Sequence, residues 1–138
     1  MQAGRERERM IAALCVGAGG FLGAIARYLL GLIPYQGDFP LITFAINFVG
    51  AFIIGVVFEV ANIRPGMLSD NAVLFLKTGL CGGFTTFSTF SLETLSLLER
   101  GKYAIGSAYA LGSLVVCVLG VMAGKLFVKT LLQTQNAS

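Results

Sequence analysis

Four long apolar runs separated by short connectors constrain this chain more than any other feature. Met10 to Ile33, Leu41 to Ala61, Ala72 to Leu98 and Tyr103 to about Leu132 are all apolar in character. Each reaches or exceeds the roughly 20 residues that a membrane-spanning helix needs. Pro34 to Pro40 forms a turn-rich connector, Pro65-Gly66 marks a turn in the second, and Glu99-Arg100-Gly101-Lys102 forms the third. No segment outside the runs is long enough to bury a core of its own. The expected fold is all-α: a polytopic membrane protein with four transmembrane helices. Residues 1–9 read as a charged N-terminal extension, 10–132 as the membrane domain and 133–138 as a polar tail.

Composition agrees and excludes several classes of function. Only 12% of the residues are charged, against about 25% in soluble domains. The net charge of +3 is scattered and forms no basic stripe, so no nucleic-acid partner is expected. Histidine and tryptophan are absent, and Cys15, Cys81 and Cys117 lie dispersed in apolar runs with no CxxC pair. These cysteines read as small buried hydrophobes, and no nucleophile–base pair suggests an enzyme.

The N-terminus superficially resembles a cleaved signal, with arginines before an apolar run and Ala24-Ile25-Ala26 as a small-residue site. Glu6 and Glu8 alternate with the arginines, and the run continues past the supposed cut to Ile33, so it reads as the first span. With four spans, Arg5, Arg7, Arg9, Arg64, Lys125 and Lys129 share one side and Arg100 and Lys102 the other. That bias points to cytoplasmic termini.

Glycines crowd the first two spans at Gly17, Gly19, Gly20, Gly23, Gly31, Gly50 and Gly55. Small residues let helices approach closely in a bilayer, so these signal tight packing. The third span is more unusual. In Gly82-Gly83-Phe84-Thr85-Thr86-Phe87-Ser88-Thr89-Phe90-Ser91, two glycines precede hydroxyl residues interleaved with phenylalanines. Such residues propagate a helix poorly, and the cluster favours a mid-membrane break. Breaks of this kind are tolerated where they line a cavity or are buried in protein, and they build ion sites. The competing reading is an intact helix whose hydroxyls bond back to the preceding turn.

Phe87 and Phe90 stand three residues apart on one helical face, beside Ser88 and Thr89. A phenylalanine stripe ordinarily means core or lipid contact. Ring edges carry positive charge and hydroxyls donate hydrogen bonds, so together they also make a partial substitute for an anion's water shell. Asn47 lies mid-span in the second helix. Tyr109, Ser113 and Cys117 recur at intervals of four on one face of the last. Arg27, near the end of the first span, reads either as a helix-end tie or as a field acting on anions.

These residues carry a resemblance. Gly19 to Tyr28, the Asn47-containing span and Gly82 to Phe90 together are similar to the Fluc family of small fluoride channels, over about Met10 to Phe127. The resemblance implies a fluoride-selective channel in a bacterial plasma or inner membrane. It also implies an antiparallel, dual-topology homodimer with two pores, surrounded by lipid. Through it, fluoride leaves down its electrochemical gradient. In that frame Phe87 and Phe90 line the fluoride path with Ser88, and Asn47, Tyr109 and Ser113 supply polar pore groups. Cys117 falls where a serine can occur. Glu93 matches a glutamate beside the pore, and the backbone carbonyls of Gly82 and Thr85, from both subunits, match a structural Na+ site at the dimer interface. The competing function is a small proton-coupled multidrug exporter. It needs a carboxylate deep in the membrane, for which only Glu59 and Glu93 are available. A purely structural membrane subunit, with glycines serving only for packing, is the third reading.

Overall fold

The computed structural model describes residues 2–136, and all of their regular structure is helical. Helix α1 covers Gln2–Gly31 and α2 covers Leu41–Ile63. A helical segment, α3, spans 70–84. It consists of a first turn at Asp70–Val73, a π-helical stretch at Leu74–Cys81 and a last turn at Gly82–Phe84. After a two-residue interruption come α4, Phe87–Glu99, and the long α5, Tyr103–Asn136. The charged segment expected as an extension is thus the exposed beginning of α1. The polar tail continues α5 as far as Asn136, and 137–138 lie outside the described residues.

Three of these helices are long and apolar enough to cross a membrane: Gln2–Gly31, Leu41–Ile63 and Tyr103–Thr134. The third expected run, Ala72 to Leu98, is divided between α3 and α4, neither of which alone reaches the roughly 20 residues of a span. The break reading therefore holds, with one refinement. Gly82 and Gly83 remain helical, and the interruption falls on Thr85 and Thr86, whose backbones are extended.

The glycines do a different task. Helix α1 packs on α3, and α2 on α5. Where α1 meets α3, a methyl group on Gly79 would come within 2.6 Å of the Val16 carbonyl oxygen and 2.9 Å of the Gly19 Cα. Along the same seam, a methyl on Gly23 would come within 2.7 Å of the Phe84 amide nitrogen. The two backbones touch directly, which only glycine allows. Large apolar side chains meanwhile cover the outside. Phe21, Tyr28, Leu29, Leu92, Leu111 and Val118 are all well exposed, as expected of a chain whose solvent is lipid or a second copy.

Candidate functional site

A helical break must satisfy its own backbone, and here three side chains do so. Thr85 closes α3 by donating both its N–H (2.9 Å) and its hydroxyl (2.8 Å) to the Cys81 carbonyl. Thr86 caps α4: its Oγ1 accepts from the Thr89 N–H at 3.1 Å and lies 2.9 Å from the Thr89 hydroxyl. Between them Asn47 reaches across from α2. Its Oδ1 accepts the Thr86 N–H at 2.8 Å, and its Nδ2 donates to the Thr86 carbonyl at 3.2 Å. The side-chain amide thereby stands in for the missing turn of backbone.

This substitution has an electrostatic consequence. In an unbroken α-helix the Thr86 N–H would go to the Gly82 carbonyl and the Thr89 N–H to the Thr85 carbonyl. Both donors are diverted, one to Asn47 and one to the Thr86 hydroxyl. The Gly82 and Thr85 carbonyls lose those partners. At Gly83 the carbonyl accepts instead from Arg27 Nε at 3.1 Å, which makes Arg27 a tie between α1 and the end of α3. Gly82 is exposed, and the place of its absent side chain is open space.

Two cavities flank the break, and buried Thr86 lines both. One, of about 450 Å³, is walled by Arg27, Tyr35, Thr43, Thr89 and Glu93 among others. The other, of about 420 Å³, is a more apolar groove walled by Asn47, Thr85, Phe87, Phe90, Ser113 and Cys117, with aliphatic side chains of α2 and α5 beyond. The Phe87 and Phe90 rings are tilted at 44° with centroids 5.4 Å apart. Phe87 is 75% exposed, so the groove lies open on its side. Ser113 is buried, and its Oγ has no hydrogen-bond partner among the described residues. A buried hydroxyl facing an open groove is a donor without an acceptor. Ser88 is exposed, with its Oγ 3.4 Å from the Thr86 hydroxyl.

Tyr109, the first member of the every-fourth series on α5, is fully buried rather than groove-lining. Its hydroxyl donates to Glu93 Oε2 at 2.7 Å, and its ring packs on Phe90 with centroids 5.3 Å apart. The other Glu93 oxygen accepts from Thr43 at 2.8 Å. Thr43 is absent from the residues that sequence reasoning singles out, although its spacing of four from Asn47 on α2 was a visible signal. The second carboxylate, Glu59, is only 2% exposed and pairs with Lys125 (3.4 Å) and Lys129 (3.5 Å), which lie far along α5 from the break.

The architecture is that of a small helical membrane protein whose interrupted helix brings polar backbone, aromatic rings and hydroxyls together between two cavities. The CrcB-like protein (Camphor Resistance) family model matches residues 14–125, and the chain belongs to this family. Curated relatives called fluoride-specific ion channel FluC agree over most of its length. The protein of Chlorobaculum tepidum is 47% identical over 118 residues, 84% of this chain and 93% of that one. The protein of Ruminiclostridium cellulolyticum is 40% identical over 129 residues, 90% and 97% of the two chains. That of Clostridium novyi is 41% identical over 121 residues, 86% and 94%.

Proposed function

We propose that this chain is a fluoride channel. The observation that carries the reading is the groove at the break. Its wall carries the rings of Phe87 and Phe90 and the unpartnered hydroxyl of Ser113, groups that suit a small anion, in a chain whose relatives are called fluoride-specific channels. A dehydrated anion needs positive edges and donors on several sides, because leaving water is otherwise prohibitive. Asn47 borders the same path, Ser88 lies exposed beside Thr86, and the Glu93–Tyr109 pair backs Phe90. Arg27 adds a positive charge beside the cavity of about 450 Å³ on the other side of the break. Transport of this kind is conduction rather than chemistry, and a negative cell interior drives the anion outward without a coupled ion.

The working unit is an antiparallel homodimer with two pores. Support comes from the exposure of Phe87 and from the open side of the groove, which a second copy would close. A structural Na+ would sit between the two breaks, held by the Gly82 and Thr85 carbonyls of both subunits. These are the carbonyls whose helical donors are diverted, and Gly82 lies at the surface, so the donor set suits a hard cation. Bound there, the ion would neutralise carbonyl dipoles and join the subunits. The proton-coupled exporter is not favoured, because Glu59 is held by two lysines and Glu93 by two hydroxyls.

The test is fluoride efflux from liposomes containing the purified protein, read with a fluoride electrode. Rapid efflux that exceeds chloride efflux is expected. Efflux no faster than from protein-free vesicles overturns the reading.

A further inference from the structure

The connector between α1 and α2 turns one aromatic ring inward. Residues 31–38 are all exposed, but Phe39 is half-buried. Its ring meets Tyr109 nearly edge-on, with centroids 5.4 Å apart and planes at 84°, and meets Phe44 at 5.3 Å and 66°. Tyr109 in turn lies 5.3 Å from Phe90, and Phe90 lies 5.4 Å from Phe87. A row of rings therefore runs from the connector, through a fully buried tyrosine, to the groove at the break.

The local sequence explains why Phe39 stays in place. Pro40 restricts the residue before it, and the Phe39 carbonyl accepts from the Leu41 N–H at 2.7 Å, so the chain enters α2 in a fixed direction. On the other side, Asp38 forms an ion pair with Lys102. Lys102 is itself fixed at the start of α5, donating its N–H to the Leu97 carbonyl at 2.9 Å and accepting from the Gly106 N–H at 2.9 Å. The clasp ties the first connector to the α4–α5 turn, directly beside the point where Phe39 covers Tyr109.

We propose that Phe39 is a positioning residue for the anion path: it holds the Tyr109 ring so that the hydroxyl stays on Glu93 and the ring keeps its tilted packing against Phe90. The inference rests on the fluoride-channel reading and extends it to the connector. Edge-to-face ring pairs are directional, whereas aliphatic contacts are not. Leucine at position 39 would fill much of the space yet leave the Tyr109 ring free to tilt, and Phe90 with it.

The experiment has two readouts on full-length protein in lipid. In a background where the exposed Tyr28, Tyr35 and Tyr103 are phenylalanine, Tyr109 is the sole tyrosine, and no tryptophan overlaps its signal. There Phe39→Leu is expected to lower the near-ultraviolet circular dichroism band of Tyr109 by about half, because ring fixation is lost. Fluoride flux should fall about tenfold in Phe39→Leu, while Phe39→Tyr, which keeps the ring, should retain it. The clasp is exposed, so Lys102→Gln should cost only about twofold, and the charge swap Asp38→Lys with Lys102→Asp should restore the loss. An unchanged Tyr109 band in Phe39→Leu, or unchanged flux, overturns the proposal. Should Phe39→Leu fail to assemble, a charge swap that does not restore the Lys102→Gln loss overturns it instead. Absence of flux from the unmodified protein overturns the channel reading itself, and the Tyr109 band still decides the positioning role.

Discussion

Asn47 and Thr86, thirty-nine residues apart in sequence, exchange a pair of hydrogen bonds that replaces a turn of helix. Neither partner is an ordinary spanning residue, yet together they let α3 end and α4 begin without exposing bare backbone to hydrocarbon. The first expectation follows from this pair. Replacing Asn47 with Ala strands the Thr86 N–H, whose carbonyl partner in the helix is already out of reach, and an unsatisfied buried polar group costs roughly 1–3 kcal/mol. The variant is expected to unfold at lower temperature in detergent and to conduct little fluoride. Asp at this position keeps the acceptor but loses the donor, and should fall between the two. A thermal midpoint for Asn47→Ala equal to that of the unmodified protein would mean that the break is held elsewhere.

The ring pair gives the second. Phe87→Ile and Phe90→Ile retain apolar bulk and remove the positive ring edge. Edge interactions of this size correspond to a loss of about tenfold in flux for each ring. Flux assays should be run on variants first shown to assemble normally. Conduction at the original rate in both would reduce the rings to packing.

Sodium is the third. If the Gly82 and Thr85 carbonyls bind the ion between subunits, exchanging sodium for a large organic cation should weaken the assembled dimer and its activity together. Cross-linking yield and melting temperature, measured across a sodium titration, report the effect. Equal values in both cations would remove the site from the account.

The fourth concerns orientation. A single cysteine at exposed Arg100, in a variant lacking Cys15, Cys81 and Cys117, reports which way each chain faces. Labelling intact cells from outside should reach about half the chains if insertion is unbiased. Nearly complete or nearly absent labelling, with transport intact, would rule out an antiparallel pair and leave the excess of Arg5, Arg7 and Arg9 to set one topology.

Much of this arrangement is legible in the chain itself. Run length locates the helices, because the bilayer fixes how many apolar residues a span needs. The cluster from Gly82 to Phe90 locates the break, since poor helix formers gathered at mid-span weaken the helix at that point. Its exact position is not legible. Two adjacent glycines look like the weak point by intrinsic propensity, but α1 needs the α3 seam thin and helical where Gly79 and Gly83 face it. Tertiary packing therefore moves the interruption onto the threonines, whose hydroxyls can terminate one helix and cap the next. The Thr43–Glu93–Tyr109 bridge escapes sequence reasoning for a related reason: its members come from three helices, and no sequence spacing connects Glu93 to either partner. The π-helical stretch at Leu74–Cys81 has no signature in periodicity that short runs can reveal.

The direct backbone contact between α1 and α3 also divides the molecule by how freely it can vary. Side chains at an ordinary helix interface can trade volume with one another, so a lineage can drift there by compensating pairs. Where Gly79 lies against Val16 and Gly19, there is no such volume to trade, and a single methyl group would have to push two main chains apart. The α2–α5 seam is closed in the same way, with a methyl on Gly124 coming within 2.9 Å of the Val56 amide nitrogen. Diversification is thus channelled to side chains outside both seams, such as the exposed Phe87 beside the groove. The two seams act as a fixed template, and the side chains outside them are where a change of preferred ion would have to be written.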